Sequence, residues 1–258
     1  MSMKTYCVIH RLDETSAKIK EYVCKELEGH FKYDEKCPKL CIAIGGDGTL
    51  LYAIHRFIHC LDHVEFIGLH SGTLGFFSDY CLDEVDDLLT DLKTKDGFVS
   101  KHPLIEAITD TNKTYYGVNE VRLEDVVRAQ TLDVYINGEY LESFRGNGML
   151  VCGQLGSTAY NRTLNGSIVS NEVEALQLTE IAGLNHGRFR SYRSSILFKD
   201  TTEFRFENRH FKGVSLLADQ YEYKLDQEKS VIIKKSNLSF KMLRFKQISY
   251  IQRLKTLL

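Results

Sequence analysis

The chain lacks tryptophan, has only two prolines and carries almost no net charge. Its 33 basic and 35 acidic side chains leave a formal net charge of −2 over 258 residues. This balance gives no overall electrostatic reason to expect nucleic acid as a partner. No apolar run approaches the ~20 residues of a membrane-spanning helix, so no membrane partner is expected. The scarcity of proline and tryptophan excludes no class of function.

A disulfide framework is also missing. The seven cysteines are odd in number and scattered along the chain, which favours reduced thiols and a cytoplasmic protein. The first residues lead directly into the apolar run 7–9 and do not follow the plan of a secretory signal peptide. A hydrophobic content of 43% is ordinary for a globular protein, and the length allows one large domain or two modest ones.

Strand and helix patterns alternate over the first hundred residues. The alternation predicts a parallel sheet with helices on its faces, and ligands of such sheets bind outside the carboxyl ends of the strands. The predicted strands are 5–10, 40–44 and 65–69, and the predicted helices are 14–27, 49–60 and 82–92.

After Gly97 the pattern changes to short runs of alternating apolar and polar residues, and Asn137-Gly138 is typical of a two-residue β-hairpin turn. The sequence therefore predicts two domains. Residues 1–97 form an α/β domain with a parallel sheet, and residues 98–238 form a β-rich, β-sandwich-like domain. The tail 239–258 is too apolar to remain free, so we expect it to pack back on the first domain.

The most informative stretch is Gly45-Gly46-Asp47-Gly48-Thr49, which follows the second predicted strand. Glycines allow the backbone to approach a ligand closely, and the N–H groups at the start of a helix attract phosphate. Asp47 could then meet a metal ion or a hydroxyl group. The alternative is a tight strand-to-helix turn without a ligand.

The second half carries two further candidate segments. A strand followed by residues 153–160, Gly-Gln-Leu-Gly-Ser-Thr-Ala-Tyr, is similar to another anion-binding strand–loop–helix unit. Tyr160 could then stack on a base. Alternatively, Ser157 or Thr158 is only a helix cap and Tyr160 is part of the core. Asn119 and Glu120 are neighbours, so both can face one ligand only at a strand end or a bulge.

Three histidines, His55, His59 and His63, recur at four-residue steps, which on a helix would place them on one face. Zinc can be held at this spacing, but no neighbouring carboxylate or thiol clearly completes the set. We interpret them as a solvated polar face and assign no metal ligand from the sequence.

Taken together, four segments resemble the motifs of bacterial NAD kinases of the Gram-positive type. They are Gly-Gly-Asp-Gly-Thr at 45–49, Gly-Leu-His-Ser-Gly-Thr-Leu-Gly-Phe-Phe at 68–77, Asn119-Glu120, and Gly-Ser-Thr-Ala-Tyr at 156–160. The first motif alone is also similar to that of lipid kinases of the diacylglycerol and sphingosine type. The four motifs agree in order and spacing with the NAD kinases.

The resemblance implies transfer of the γ-phosphoryl group of ATP, or of a phosphoryl group of polyphosphate, to the adenosine ribose 2′-hydroxyl of NAD. Asp47 would be the catalytic carboxylate, and Mg²⁺ would bridge the phosphates. The partners would be NAD(H), ATP and further copies of the chain in a homodimer or homotetramer. The implied binding residues are Gly46, Asp47, Gly48, Phe76, Asn119, Glu120, Arg145, Asn147, Leu155, Thr158, Ala159, Tyr160, Asn161, Arg162, Thr163, Ala182 and Gln220.

Some segments depart from the family pattern. Asn147 stands between two glycines where the family usually has aspartate, and residues 152–155 and 161–166 differ from the usual small and hydroxyl residues. These departures lie on the acceptor side of the predicted site. They leave open altered affinity, a preference for NADH over NAD, reduced activity, or a dinucleotide-binding regulator that has lost catalysis. The first motif alone also leaves open a lipid kinase, although the polar set of Asn119, Glu120 and Tyr160 argues against an apolar acceptor cleft.

Overall fold

A computed structural model of the chain describes residues 4–72, 75–209 and 211–256. The chain forms two compact units. The first comprises the described residues of Met1–His102 and Leu238–Leu258, and the second comprises those of Pro103–Asn237. The predicted fold class is confirmed, since the first unit is α/β and the second is rich in strands.

The first unit is built around a parallel sheet with the strand order β2-β1-β3-β4, and β5 pairs with β4. Every residue of β3 is buried, as expected for a strand covered on both faces. The predicted strands are confirmed to within one residue. The strands are β1 (Thr5–His10), β2 (Lys32–Tyr33), β3 (Leu40–Gly45), β4 (Glu65–His70) and β5 (Tyr80–Cys81).

Three helices belong to this part of the chain. They are α1 (Glu14–Leu27), α2 (Asp47–Arg56) and α3 (Val85–Thr94). The prediction of a helix over 49–60 was wrong at both ends, because α2 begins at Asp47 and gives way to a 3₁₀ turn at Ile58–Cys60. The expectation that three histidines share one helical face was therefore also wrong. His55 lies on α2, whereas His59 lies on the 3₁₀ turn and His63 beyond it.

The second unit contains two antiparallel sheets whose apolar faces enclose one core. One sheet has the order β13-β12-β11-β8-β15-β16, and the other contains β10-β9-β14-β17. Val121 and Val151 of the first sheet share this core with Val134 and Phe206 of the second. The strands that lie wholly or partly in this unit are β6 (Phe98–Thr109), β7 (Thr114–Gly117), β8 (Glu120–Glu124), β9 (Gln130–Ile136), β10 (Glu139–Gly146), β11 (Gly148–Cys152), β12 (Ala175–Ile181), β13 (Ile196–Lys199), β14 (Phe204–Glu207), β15 (Ser215–Ala218), β16 (Tyr221–Lys224) and β17 (Ser230–Arg244), and the helix is α4 (Tyr160–Thr163). The first residues of β6 and the last residues of β17 belong to the first unit.

The predicted hairpin turn at Asn137-Gly138 is confirmed. Asn137 has a φ of 51° and Gly138 a φ of 86°, and the turn joins β9 to β10. Positive φ at both central residues is the geometry that matches the twist of the flanking strands. Two strands of this unit, β12 and β16, were not predicted from the sequence.

The tail returns to the first unit, as predicted. Lys241 and Met242 of β17 pair in parallel with Glu65 and Phe66 of β4, and Met242 is buried. A short helix, α5 (Tyr250–Lys255), follows and was not predicted; its start is capped by the Ser249 side chain. Among the described residues, no helix combines the length and the apolar character that crossing a membrane requires.

Candidate functional site

The predicted glycine-rich loop forms a tight connection between β3 and α2 in the first unit. Gly45 has a φ of 153°, and a Cβ atom there would lie 2.2 Å from the Thr49 hydroxyl oxygen. Gly46 is the N-cap residue of α2, and Asp47 is the first residue of the helix. The loop therefore places a carboxylate at the positively polarised end of α2.

The Asp47 carboxylate is held by the loop that follows β4. Its Oδ2 accepts a hydrogen bond from the backbone N–H of Phe76 (3.1 Å), and its Oδ1 accepts a longer one from that of Phe77 (3.4 Å). A Cβ atom on Gly75 would lie 2.6 Å from Asp47 Oδ1 and 2.5 Å from the His70 ring. Only glycine allows this backbone to pass so close to the carboxylate.

Phe76, one of the implied binding residues, is half-buried. Its ring packs edge-to-face against Tyr250 of α5, with the ring centroids 5.7 Å apart. Gly48 is exposed at the start of α2. Two residues of the predicted second loop, Thr73 and Leu74, lie outside the described residues.

In the second unit, the side chain of Asp219 organises the predicted Asn119-Glu120 pair. Its Oδ2 accepts from the N–H of Val118 (2.7 Å), and its Oδ1 accepts from the N–H groups of Asn119 (2.8 Å) and Glu120 (3.3 Å). Asp219 itself has a φ of 52° and lies in the β15–β16 turn, directly before the exposed Gln220. Asn119 lies just before β8, so the pair occupies the strand end that the sequence argument required.

Two acceptor atoms of this pair have no hydrogen-bond partner among the described residues. They are Asn119 Oδ1 and Glu120 Oε2, both buried. Burial, and secondarily the negative charge of Asp219, raises the pKa of Glu120 to about 7. The Arg122 guanidinium, 3.8 Å away, opposes this rise. Buried acceptors without partners are unfavourable unless a ligand supplies donors, and ribose hydroxyls and an adenine amino group are donors of this kind.

This raised pKa makes a prediction about stability. The folded state holds the Glu120 proton more tightly than the unfolded state, in which the pKa of this carboxyl is near 4.5. The contribution of Glu120 to the free energy of unfolding therefore falls as the pH rises from 4.5 through about 7. We expect Glu120→Gln to raise the free energy of unfolding at about pH 8 by up to about 3 kcal/mol, with much less gain at about pH 4.5.

Urea unfolding at both pH values would measure this, with exposed Glu139→Gln as the control. An equal gain at both pH values would show that the ionisation of Glu120 is not the cause.

The third motif packs directly against Asn119. It comprises a 3₁₀ turn at Leu155–Thr158 followed by α4. A Cβ atom on Gly156 would lie 1.9 Å from the Asn119 carbonyl oxygen, so this glycine is required for the contact. The buried Ser157 hydroxyl donates to the Gln154 carbonyl and accepts from the N–H of Val169. The segment is therefore fixed beside the Asn119-Glu120 pair.

Tyr160 is contacted by a residue that the sequence analysis missed. The Arg122 guanidinium lies 4.4 Å from the Tyr160 ring centroid, in cation–π geometry. The ring also packs against the buried cluster of Leu150, Cys152 and Ile181. The stacking of Tyr160 on a base stays a prediction, and it would have to use ring surface that these contacts leave open.

The remaining predicted residues of this segment differ in exposure. Asn161 is buried, and its side chain bonds to Thr179 (2.7 Å) and to the Ser167 carbonyl (3.4 Å) inside the fold. The Thr158 and Thr163 hydroxyls each donate to a nearby backbone carbonyl, as helix-terminal threonines commonly do. Leu155, Ala159 and Thr158 are half-buried, whereas Arg162 and Thr163 are exposed.

Asn147 has a clear structural role. Its Nδ2 donates to the Asp125 carbonyl (2.8 Å), its N–H donates to the Ile181 carbonyl, and its own carbonyl accepts from Gln130. An ionised aspartate has no side-chain donor for the first of these bonds. The departure from the family pattern at this position therefore comes with a hydrogen bond that aspartate cannot make.

Two other predicted binding residues lie near the end of β10 and after β12. Arg145 donates to the Thr131 hydroxyl (3.0 Å), and its guanidinium lies 5.6 Å from the Phe189 ring centroid. Ala182 is exposed and has a φ of 49°, which is unusual for a residue with a side chain.

Among the described residues, the one cluster of three side chains spaced to hold a metal is Cys81, Asp83 and Glu84, and Asp47 is not part of it. A cation at Asp47 would therefore need most of its ligands from phosphate and water. Magnesium is commonly bound in this way, through one or two carboxylates and the phosphates of a nucleotide. The residues present thus fit a magnesium ion that arrives with a nucleotide.

Comparison with known proteins identifies the family. A family model described as the ATP-NAD kinase C-terminal domain matches residues 118–245. The NAD kinase of Lysinibacillus sphaericus is 31% identical over 253 residues, which is 96% of each chain. The NAD kinase of Streptococcus mutans is 36% identical over 228 residues, which cover 83% of this chain and 82% of the relative.

Solved structures share the fold. A yeast NADH kinase in complex with NADH superposes with a TM-score of 0.83 at 18% identity, covering 98% of this chain and 86% of the other. An NAD kinase from Archaeoglobus fulgidus in complex with ATP gives a TM-score of 0.72 at 18% identity and covers 93% of each chain. The resemblance inferred from the motifs is thus confirmed by relatives that match nearly the whole sequence, and the chain belongs to the NAD kinase family.

Proposed function

We propose that the protein is an NAD kinase that transfers the γ-phosphoryl group of ATP to the adenosine ribose 2′-hydroxyl of NAD. The 2′-oxygen bonds to the γ-phosphorus, and the bond from that phosphorus to the β,γ-bridging oxygen breaks. The products are NADP and ADP, and the hydroxyl proton passes to Asp47. The observation that carries the proposal is the fixed Asp47 carboxylate at the start of α2, in a chain whose near full-length relatives are NAD kinases.

Asp47 suits the role of proton acceptor. Each of its oxygens accepts one backbone N–H, so lone pairs remain to accept the proton of a sugar hydroxyl. Phosphoryl transfer needs little covalent chemistry from a protein and depends mainly on positioning and on electrostatic stabilisation. The backbone N–H groups of Phe76 and Phe77 provide such positioning for the Asp47 carboxylate.

The beginning of α2 would receive phosphate. Gly46 and Gly48 flank Asp47 at the positively polarised end of the helix, and no side chain among the described residues caps this end. Mg²⁺ would be held near Asp47 by the nucleotide phosphates and water, and when bound it neutralises phosphate charge. The family resemblance implies either ATP or polyphosphate as donor, and we propose ATP.

The second unit would recognise the dinucleotide. The unpartnered acceptors of Asn119 and Glu120 would bind the donors of adenine and ribose, and Tyr160 would contact a ring. By family resemblance, further contacts would come from Thr158, Ala159, Thr163, Arg145, Ala182 and Gln220. The resemblance also implies a homodimer or homotetramer, which sedimentation of the purified protein would measure.

The decisive assay supplies purified protein with ATP and Mg²⁺ and with NAD, NADH or diacylglycerol as the acceptor. We expect NADP or NADPH from the dinucleotides and no lipid phosphate. A product from diacylglycerol alone would favour a lipid kinase. Tight dinucleotide binding without any phosphorylated product would favour a regulator and overturn the kinase proposal.

A further inference from the structure

A buried ion cluster of the first unit lies behind the loop that holds Asp47. Asp79 is 2% exposed, and its Oδ1 accepts from two arginines of the tail. Arg244, at the end of β17, donates at 2.5 Å, and Arg253 of α5 donates as well. Two guanidinium groups beside one buried carboxylate are costly to bury unless each makes further hydrogen bonds.

The further hydrogen bonds go to three consecutive carbonyls of the same loop. Arg253 donates to the carbonyls of Phe76 (3.0 Å) and Ser78 (2.8 Å), and Arg244 donates to that of Phe77 (2.7 Å). Tyr250 of α5 packs its ring against Phe76. The tail thus holds the loop backbone through side chains that are 167 and 177 residues distant in sequence.

The geometry of the peptide bond connects these contacts to Asp47. The Phe76 carbonyl and the Phe77 N–H belong to one planar trans peptide, so they point in opposite directions. Arg253 binds the oxygen of this peptide, and Asp47 Oδ1 accepts from its N–H. Fixing the carbonyl toward Arg253 therefore fixes the N–H toward the carboxylate.

We propose that Arg253 is a positioning residue for phosphoryl transfer, acting with Arg244 and Asp79 through the Phe76–Phe77 peptide to orient the Asp47 carboxylate. This inference rests on the proposed role of Asp47. The tail would then support the catalytic carboxylate, although Arg253 itself touches no reacting group and lies outside the four motifs.

The test compares Arg253→Met and Arg253→Lys with Lys255→Ala, an exposed position on the same helix. Methionine keeps much of the apolar stem but donates no hydrogen bond. We expect Arg253→Met to lower kcat by about 10- to 100-fold, since small misplacements at a reacting centre have effects of this size. KM for NAD should change by less than about threefold, because this change removes orientation rather than uniform binding.

The lysine ammonium group can make only some of the hydrogen bonds that the planar Arg253 guanidinium makes, so Arg253→Lys should recover part of the lost kcat. Lys255→Ala should keep the activity of the unmodified protein. Added guanidinium should raise the rate of Arg253→Met and not that of Lys255→Ala. The proposal would be overturned if kcat of Arg253→Met stayed within about twofold of that of the unmodified protein. It would also be overturned if KM for NAD rose by the same factor as kcat fell. If the methionine variant does not fold, Arg253→Lys provides the same comparison.

A second readout does not depend on activity. Amide hydrogen exchange of Phe76 and Phe77 should accelerate in Arg253→Met and stay unchanged in Lys255→Ala, because the peptide loses its fixed orientation. Unchanged exchange would overturn the positioning role whatever the enzyme does. Absence of NADP formation by the unmodified protein would instead overturn the kinase proposal, so the two failures are distinguishable.

Discussion

Replacing Asp47 with asparagine is expected to lower kcat for NADP formation by about 10²- to 10⁴-fold, the usual contribution of a general base. Asparagine keeps the size of the side chain and one acceptor oxygen, but it cannot take the proton of the 2′-hydroxyl. The amide nitrogen would also face a backbone N–H of Phe76 or Phe77, where the carboxylate offers an acceptor. Steady-state kinetics with NAD and ATP would measure the loss.

Binding of NAD should change little in this variant, since we assign dinucleotide recognition mainly to the second unit. Calorimetric titration with NAD separates binding from turnover. Asp96→Asn, at an exposed aspartate beyond α3, removes the same charge elsewhere in the first unit and serves as the control. If Asp47→Asn keeps more than about a tenth of the original kcat, Asp47 is not the proton acceptor.

Replacing Asp219 with alanine is expected to have the second large effect, on both stability and dinucleotide binding. The three N–H groups of Val118, Asn119 and Glu120 would lose their acceptor. A buried donor without a partner is unfavourable by about 1–3 kcal/mol, so we expect the free energy of unfolding to fall by about 3 kcal/mol or more. With the strand end released, NAD affinity should fall at least about tenfold, which corresponds to about 1.4 kcal/mol.

Asp219→Asn retains one acceptor oxygen and should lie between alanine and the unmodified protein. Asp226→Ala, at an exposed position after β16, is the matched control. Urea unfolding and NAD titration of the three variants would measure both effects. If Asp219→Ala is as stable as Asp226→Ala and binds NAD as tightly, the carboxylate does not organise the Asn119-Glu120 segment.

The elements with strong local signals could be predicted from the sequence. β1, β3 and β4 are apolar runs, and α1 has regular helical spacing, so their bounds follow to within a residue. The glycine-rich loop was also recognisable, because three glycines around one carboxylate, directly after a buried strand, are typical of a loop that approaches a ligand. β12 and α5 were missed although each carries a local signal. Leu176 and Leu178 of β12 alternate with polar residues, and Ser249 and Gln252 form a capping box at the start of α5.

The residues that support the candidate site could not be predicted in the same way. Asp219 bonds to backbone atoms about 100 residues away, and Arg253 to a loop 177 residues away. Neither lies in a glycine-rich motif, and an aspartate in a turn or an arginine on a short helix is ordinary on its own. Arg122 was hidden similarly, since its contact with Tyr160 exists only after β8 and α4 have come together.

The discontinuity of the first unit also constrains how the protein is made. The second unit is inserted between α3 and the tail, so a ribosome must synthesise all of Pro103–Asn237 before the arginines that hold the Phe76–Asp79 loop exist. At a synthesis rate of about 5–20 residues per second, many seconds pass between the synthesis of the first strands and that of the tail arginines. Until then, the Asp47 carboxylate of the nascent chain lacks the arginines that hold this loop. Premature termination within the tail would therefore release a chain in which the second unit is complete and the first unit is not.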